Sequence, residues 1–140
     1  MWIYEKRLQF PVNIKETNAK LAQDIISQYG GPDGELGASL RYLSQRFAMP
    51  YPELKGLLTD IGTEELGHLE MIGAIVHQLT RNLSYDEIKR GGFDTYFVDH
   101  TTGVYPTAAS GLPWSAAEMQ STGDTIADLM ENMAADGTTA

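Results

Sequence analysis

The chain has 140 residues, 42% hydrophobic and 21% charged, with a formal net charge of −9 and no cysteine. This is about one domain's worth of sequence, with enough apolar residues to bury a core. The acidic balance argues against nucleic acid, whose phosphates need Lys and Arg. Lack of Cys removes disulfides, thiolate catalysis and zinc-thiolate sites, and no apolar run approaches a bilayer span. The N-terminus has no apolar signal-type stretch, so a cytoplasmic protein is the expectation.

Residues 1–12 alternate loosely through Trp2, Tyr4, Leu8 and Phe10 and stop at Pro11, which predicts an extended arm packed on its own domain or on a neighbour. Asn18 to Tyr29 predicts a short helix with Leu21, Ile25 and Ile26 on one side, ended by Gly30-Gly31-Pro32. Asp33 is the expected N-cap of a second helix whose apolar stripe is Leu36, Leu40, Leu43 and Phe47. Glu35, Ser39, Tyr42 and Arg46 lie on the adjoining stripe.

The clearest element runs from about Pro52 to Leu79, long for a globular helix and typical of a bundle. Residues 81–123 break the pattern. Ser84-Tyr85-Asp86-Glu87 is a capping-box signature for one short helix stopped by Gly91-Gly92. The rest is rich in Gly, Thr and aromatic residues and reads as a long crossover connection. Asp124 can cap a last helix from Thr125 to about Asp136, with Ile126, Leu129 and Met133 as its stripe. One all-α domain over residues 1–140 is predicted.

The chemistry concentrates in the long helix. Leu54, Leu58, Ile61, Glu65, His68, Ile72, Ile75 and Leu79 follow one another in steps of three and four, so all eight share a face. Six are apolar. Glu65 and His68 are costly to bury unless something binds them. On a helix, Glu-x-x-His places both side chains within reach of one ion, as in the carboxylate-bridged di-iron and di-manganese bundles. The competing reading is a buried Glu–His salt bridge. Glu35 is either a carboxylate suited to a helix start or a metal ligand from a facing helix. Tyr42, two turns along the same stripe, is either core packing or a hydrogen-bond donor to a ligand carboxylate. Asp136 is either a carboxylate from a third helix or a surface residue of a frayed end. Glu64 and Glu70 flank the site but point elsewhere on the helix and are read as solvated, and His77 and His100 as structural or exposed. Gly62 and Gly67 are read as removing bulk beside the site.

Several blocks in order then carry a resemblance. Trp2-x-Tyr4-Glu5-Lys6, Tyr29-Gly30-Gly31-x-Asp33-Gly34-Glu35-Leu36, Leu40-Arg41-Tyr42-Leu43, Thr59-Asp60-Ile61-Gly62-Thr63-Glu64-Glu65 and Gly123-Asp124-x-Ile126-Ala127-Asp128-Leu129 together resemble the manganese catalases, and within them the branch found in bacterial spore coats. The resemblance covers about residues 1–136. It implies a ferritin-like four-helix bundle holding two manganese ions that disproportionates hydrogen peroxide to water and dioxygen. It implies Glu35, Glu65 and His68 as metal ligands, Glu65 as the bridge, and Tyr42 beside them. It places Asp136 where the family carries a Glu one methylene longer. Iron is the alternative metal.

The expected fold is then a ferritin-like bundle truncated to three of four core helices, because the last His of the family pattern would come from a fourth. Two functions stay open: a dinuclear catalase, or a catalytically impaired spore-coat assembly subunit keeping a partial site with as few as one ion. Expected partners are hydrogen peroxide, further copies of the chain and other spore-coat proteins, with no nucleic acid and no membrane. The expected location is the cytoplasm or the spore coat.

Overall fold

The computed structural model describes residues 3, 5, 7–95, 104–119 and 121–139. Trp2, Tyr4, Lys6 and His100, named above, lie outside the described residues. Among the described residues six helices follow in order: α1 (Ala19–Ile25), α2 (Ser27–Gly30), α3 (Glu35–Gln45), α4 (Pro52–Thr80), α5 (Tyr85–Gly91) and α6 (Thr125–Thr139), with 3₁₀ turns at Phe93–Thr95 and Ala116–Glu118. Among the described residues the only β pairing is an isolated bridge between Thr107 and Pro113.

Local chemistry sets the helix ends. Asn18 caps α1 by accepting from the Leu21 amide at 3.0 Å. Pro52 opens α4, where its missing N–H costs nothing. Ser84 and Glu87 form the reciprocal capping box of α5. Asp124 accepts from the Ala127 amide at 2.8 Å and caps α6. The second-helix cap differs from expectation. Gly34 holds that position and no side chain caps it. Asp33 instead meets Nη2 of the buried Arg41 at 3.4 Å, so a buried cation further along the same helix has taken the carboxylate.

The core falls into two clusters strung along α4. Toward its C-terminal end, Val76 and Leu79 pack with Ala19, Ala22, Ile26, Ile88 and Phe93 from α1, α5 and their flanks. Toward its N-terminal end, Leu58 packs with Tyr42 and Met49, and Leu129 of α6 leans on them. Each fully buried side chain of this size contributes roughly 1.5–3 kcal/mol. The predicted α4 stripe is accordingly the inward face. Leu58, Glu65 and Leu79 are buried, and the other five are half-buried.

Two other stripes point elsewhere. On α3 the buried side is Gly37, Ser39, Arg41, Tyr42 and Gln45, while Phe47 is 76% exposed. On α6 the buried residues are Asp128, Asn132 and Ala135, while Ile126 is 70% and Met133 78% exposed. Polar pairs explain the rotation. The Ser39 hydroxyl donates to the Gly62 carbonyl at 2.7 Å. The Asn132 amide donates to Gln45 Oε1 at 2.6 Å, linking α6 to α3. Such bonds favour one helix rotation because a buried polar group left unpaired is costly. On α1, Leu21 is likewise exposed, and the small Ala19 and Ala22 take the inner positions.

Gly62 fixes how close α3 comes to α4. A Cβ there would stand 2.9 Å from Leu43 Cγ and 3.2 Å from Tyr42 Cβ. This glycine permits helix contact rather than access to the site. Gly67 does not line the site either, since its open face looks toward Gln9 of the N-terminal arm. The arm itself is fastened to α4. Gln78 donates to the Val12 carbonyl at 3.0 Å and accepts from the Ile14 amide at 2.7 Å, and Arg81 donates to the Ile14 carbonyl at 2.6 Å.

Candidate metal centre

Close packing at Gly62 carries the first turn of α3 over the middle of α4. There Glu35, Glu65 and His68 converge, with one donor atom of each within 4.8 Å of the others. His68 Nδ1 lies 2.7 Å from Glu65 Oε2 and 3.9 Å from Glu35 Oε2. Glu65 is buried, and Glu35 and His68 are half-buried. They line a cavity of about 350 Å³ with Tyr42, Arg41, Gln28, Ala135 and Asp136 on its wall.

The electrostatics follow from two acids meeting beside one imidazole. Burial, then the hydrogen bond and charge of Glu65, push Glu35 up to about 7, against which His68 pulls down. Burial draws His68 downward, but the hydrogen bond and charge of Glu65 and the charges of Glu35 and Glu64 outweigh it and leave it raised. Burial and the charges of Asp136 and Glu65 push the Tyr42 phenol up to about 12, with Arg41 opposing. Tyr42 therefore stays a neutral donor at every physiological pH.

Asp136 is exposed at the rim of this cavity. It acts on Glu35 and Tyr42 through its charge but is not one of the three converging donors. A second, mostly apolar cavity of about 310 Å³, lined by Leu54, Leu57, Leu129 and Met133, meets the first at Tyr42 and Asp136.

Two residues carry more here than the sequence suggested. Glu64, expected to be solvated, brings Oε1 to 3.9 Å from His68 Nε2. Its spacing of four from His68 was the available signal. Arg41 is 2% exposed and reaches the loop that leads into Glu35 through Asp33. Nothing in its pattern announced a buried cation. His77 is exposed, as expected.

The sequence profile of the manganese containing catalases matches residues 1–139. The chain belongs to the manganese catalase family. It is 47% identical to Protein CotJC of Bacillus subtilis (strain 168) over 97% of its length, covering 71% of that protein. It is 34% identical to a probable manganese catalase of Clostridium acetobutylicum, covering 97% of this chain and 61% of that one. The crystal structure of KatB, a manganese catalase from Anabaena, superposes with a TM-score of 0.89 at 34% identity, over 99% of this chain and 62% of that chain. The chain thus spans about three-fifths of the length of these catalases. The helical bundle is the ferritin-like fold of the manganese catalase family.

Proposed function

We propose that this chain binds manganese through Glu35, Glu65 and His68 and acts in the disproportionation of hydrogen peroxide to water and dioxygen. The observation that carries this reading is the convergence of two carboxylates and an imidazole from two helices on one cavity wall. Membership of the manganese catalase family supports both the metal and the substrate.

The donors suit the ion. Carboxylate and imidazole without sulfur favour manganese over softer metals, and iron is the alternative the same donors would accept. Glu35 holds its proton up to about pH 7 because it is half-buried and Glu65 stands against it. A divalent cation removes the need for that proton and balances both acids. Three donors fit one ion. A second ion needs more, and Asp136 on the cavity rim is this chain's candidate contributor. Manganese, when bound, supplies a redox couple through which one peroxide can lose electrons and another gain them. Glu35, Glu65 and His68 would hold it. Tyr42, neutral below about pH 12, would donate a hydrogen bond at the cavity wall.

A specific observation favours a second reading, assembly. Ile126, Met130 and Met133 on α6 are 67–78% exposed, and Met133 also lines the apolar cavity beside the site. Contiguous apolar surface of this kind marks an interaction face. The likeness to CotJC supports a place in a spore coat, with further copies or other coat proteins on that face. No helix among the described residues is long and apolar enough to cross a membrane.

Metal analysis together with an oxygen electrode decides between them. Two manganese ions per chain with dioxygen released from peroxide supports catalysis. One ion or none, with no dioxygen, leaves assembly as the function. His68→Ala should lose metal and turnover together, and turnover that survives with metal intact would refute the site.

A further inference from the structure

The two ring nitrogens of His68 face different surroundings. Nδ1 is turned inward, to Glu65 at 2.7 Å and Glu35 at 3.9 Å. Nε2 is turned toward Glu64, whose Oε1 lies 3.9 Å away. That same Oε1 accepts a 3.2 Å hydrogen bond from Gln9 Nε2, 55 residues earlier in the chain. Gln9 belongs to the N-terminal arm, which continues into the Gln78 and Arg81 bonds that fasten it to α4. A histidine that gives one nitrogen to a metal needs an acceptor for its other N–H. A carboxylate there fixes the tautomer and the ring plane and raises the ring's basicity.

We infer that Glu64 is the positioning residue for His68, accepting Nε2–H when Nδ1 is given to a metal, and that Gln9 of the arm holds Glu64 in place. The inference rests on the manganese-binding reading above. Glu64 is half-exposed, with a side-chain exposure of 52%. Its Oε1, 3.9 Å from Nε2, stands just outside direct hydrogen-bond range of the ring. An exposed ion pair of this kind contributes little to folding, so its worth lies in the geometry of the ring. The arm, in this account, is part of the site's support and not only a packing strap.

The experiment titrates Mn²⁺ into the full chain and follows the loss of the free-ion electron paramagnetic resonance signal. Wild type, His68→Ala, Glu64→Ala, Glu64→Gln and Gln9→Ala are compared, each with a melting curve of the metal-free protein. Glu64→Ala should weaken manganese binding about 10–100-fold. Glu64→Gln, which keeps an acceptor oxygen, should restore much of that loss. Gln9→Ala should weaken binding in the same direction by less. Metal-free melting should not move in any of the Glu64 and Gln9 variants. If Glu64→Ala binds like wild type while His68→Ala does not, the positioning role is refuted and the metal site stands. If His68→Ala also binds like wild type, both readings fall. A Glu64→Ala chain that melts earlier without metal would make the residue structural and overturn the inference.

Discussion

Glu35 Oε2 on α3 and His68 Nδ1 on α4 stand 3.9 Å apart across a helix interface, with Glu65 Oε2 2.7 Å from the same nitrogen. Glu65 reaches His68 within α4, but Glu35 does so only through the packing of α3 on α4, so the three-donor centre is a tertiary feature rather than a property of one helix. Its behaviour with pH, packing and metal follows from that.

Glu35 titrates at about 7 in the folded chain against an ordinary 4.5. The folded state then holds a proton that the unfolded state has released anywhere between those values. Metal-free protein should lose stability as pH rises from about 4.5 to 7, and the raised His68 continues the loss above its ordinary 6.5. Glu35→Gln should flatten that slope, measured by urea midpoints across pH. In the same window a cation must displace the Glu35 proton, and above it the proton of the raised His68, so Mn²⁺ affinity should rise with pH through about 7 and beyond. A wild-type metal-free protein whose stability rises over that range would contradict the Glu35 environment described.

Gly62 sets the α3–α4 spacing, and Gly62→Ala should push Leu43 and Tyr42 outward. Overpacking of this kind costs about 1–3 kcal/mol. The shift should also carry Glu35 away from Glu65 and weaken manganese binding more than the stability loss alone explains. Denaturant unfolding and metal titration on one sample check this, and unchanged affinity would show that the interface relaxes elsewhere.

Asp128 ties the long connection to α6. Its carboxylate accepts from the Thr122 amide and hydroxyl, each at 2.8 Å, and from the Gly123 amide at 3.0 Å. Burial pushes its pKa up, but these bonds outweigh it and hold it below the usual 3.8. The stabilisation is present above pH 3.8 and is lost as pH falls through the lower folded value. Asp128→Ala, which leaves those donors unpaired, should cost about 1–3 kcal/mol at neutral pH and should narrow its gap from wild type in strong acid. Thermal melts at pH 7 and pH 3 test both parts.

The exposed row of Ile126, Met130 and Met133 should drive self-association. Light scattering at micromolar concentration is expected to report more than one chain per particle. Met133→Glu, which places a charge in that face, should shift the population toward monomer. A monodisperse wild-type monomer would remove the interaction face from the account.

What could be read from the sequence divides along a physical line. The long helix was visible because eight side chains in steps of three and four can only share one face, and Glu65 and His68 stood out as the costly members of that face. Caps with local chemistry, Ser84 and Asp124, were equally visible. The rotations of α3 and α6 were not. Their hydrophobic stripes suggested Phe47, Ile126 and Met133 inside, yet polar pairs such as Ser39–Gly62 and Gln45–Asn132 decide the facing, and those partners lie far apart in the chain. Arg41 stayed hidden for the same reason. Its burial depends on Asp33 and the loop before α3, which no periodicity describes. Glu35 was placed by resemblance and by its stripe, but its closeness to Glu65 comes from the packing of α3 on α4, which no local pattern encodes.

The most direct test of the central claim is anomalous scattering at the manganese edge from crystals of the full chain grown with Mn²⁺. A peak is expected within bonding distance of carboxylate oxygens of Glu35 and Glu65 and of His68 Nδ1. A map with no peak there, and with His68 still hydrogen-bonded to Glu65 as its sole partner on that side, would contradict it.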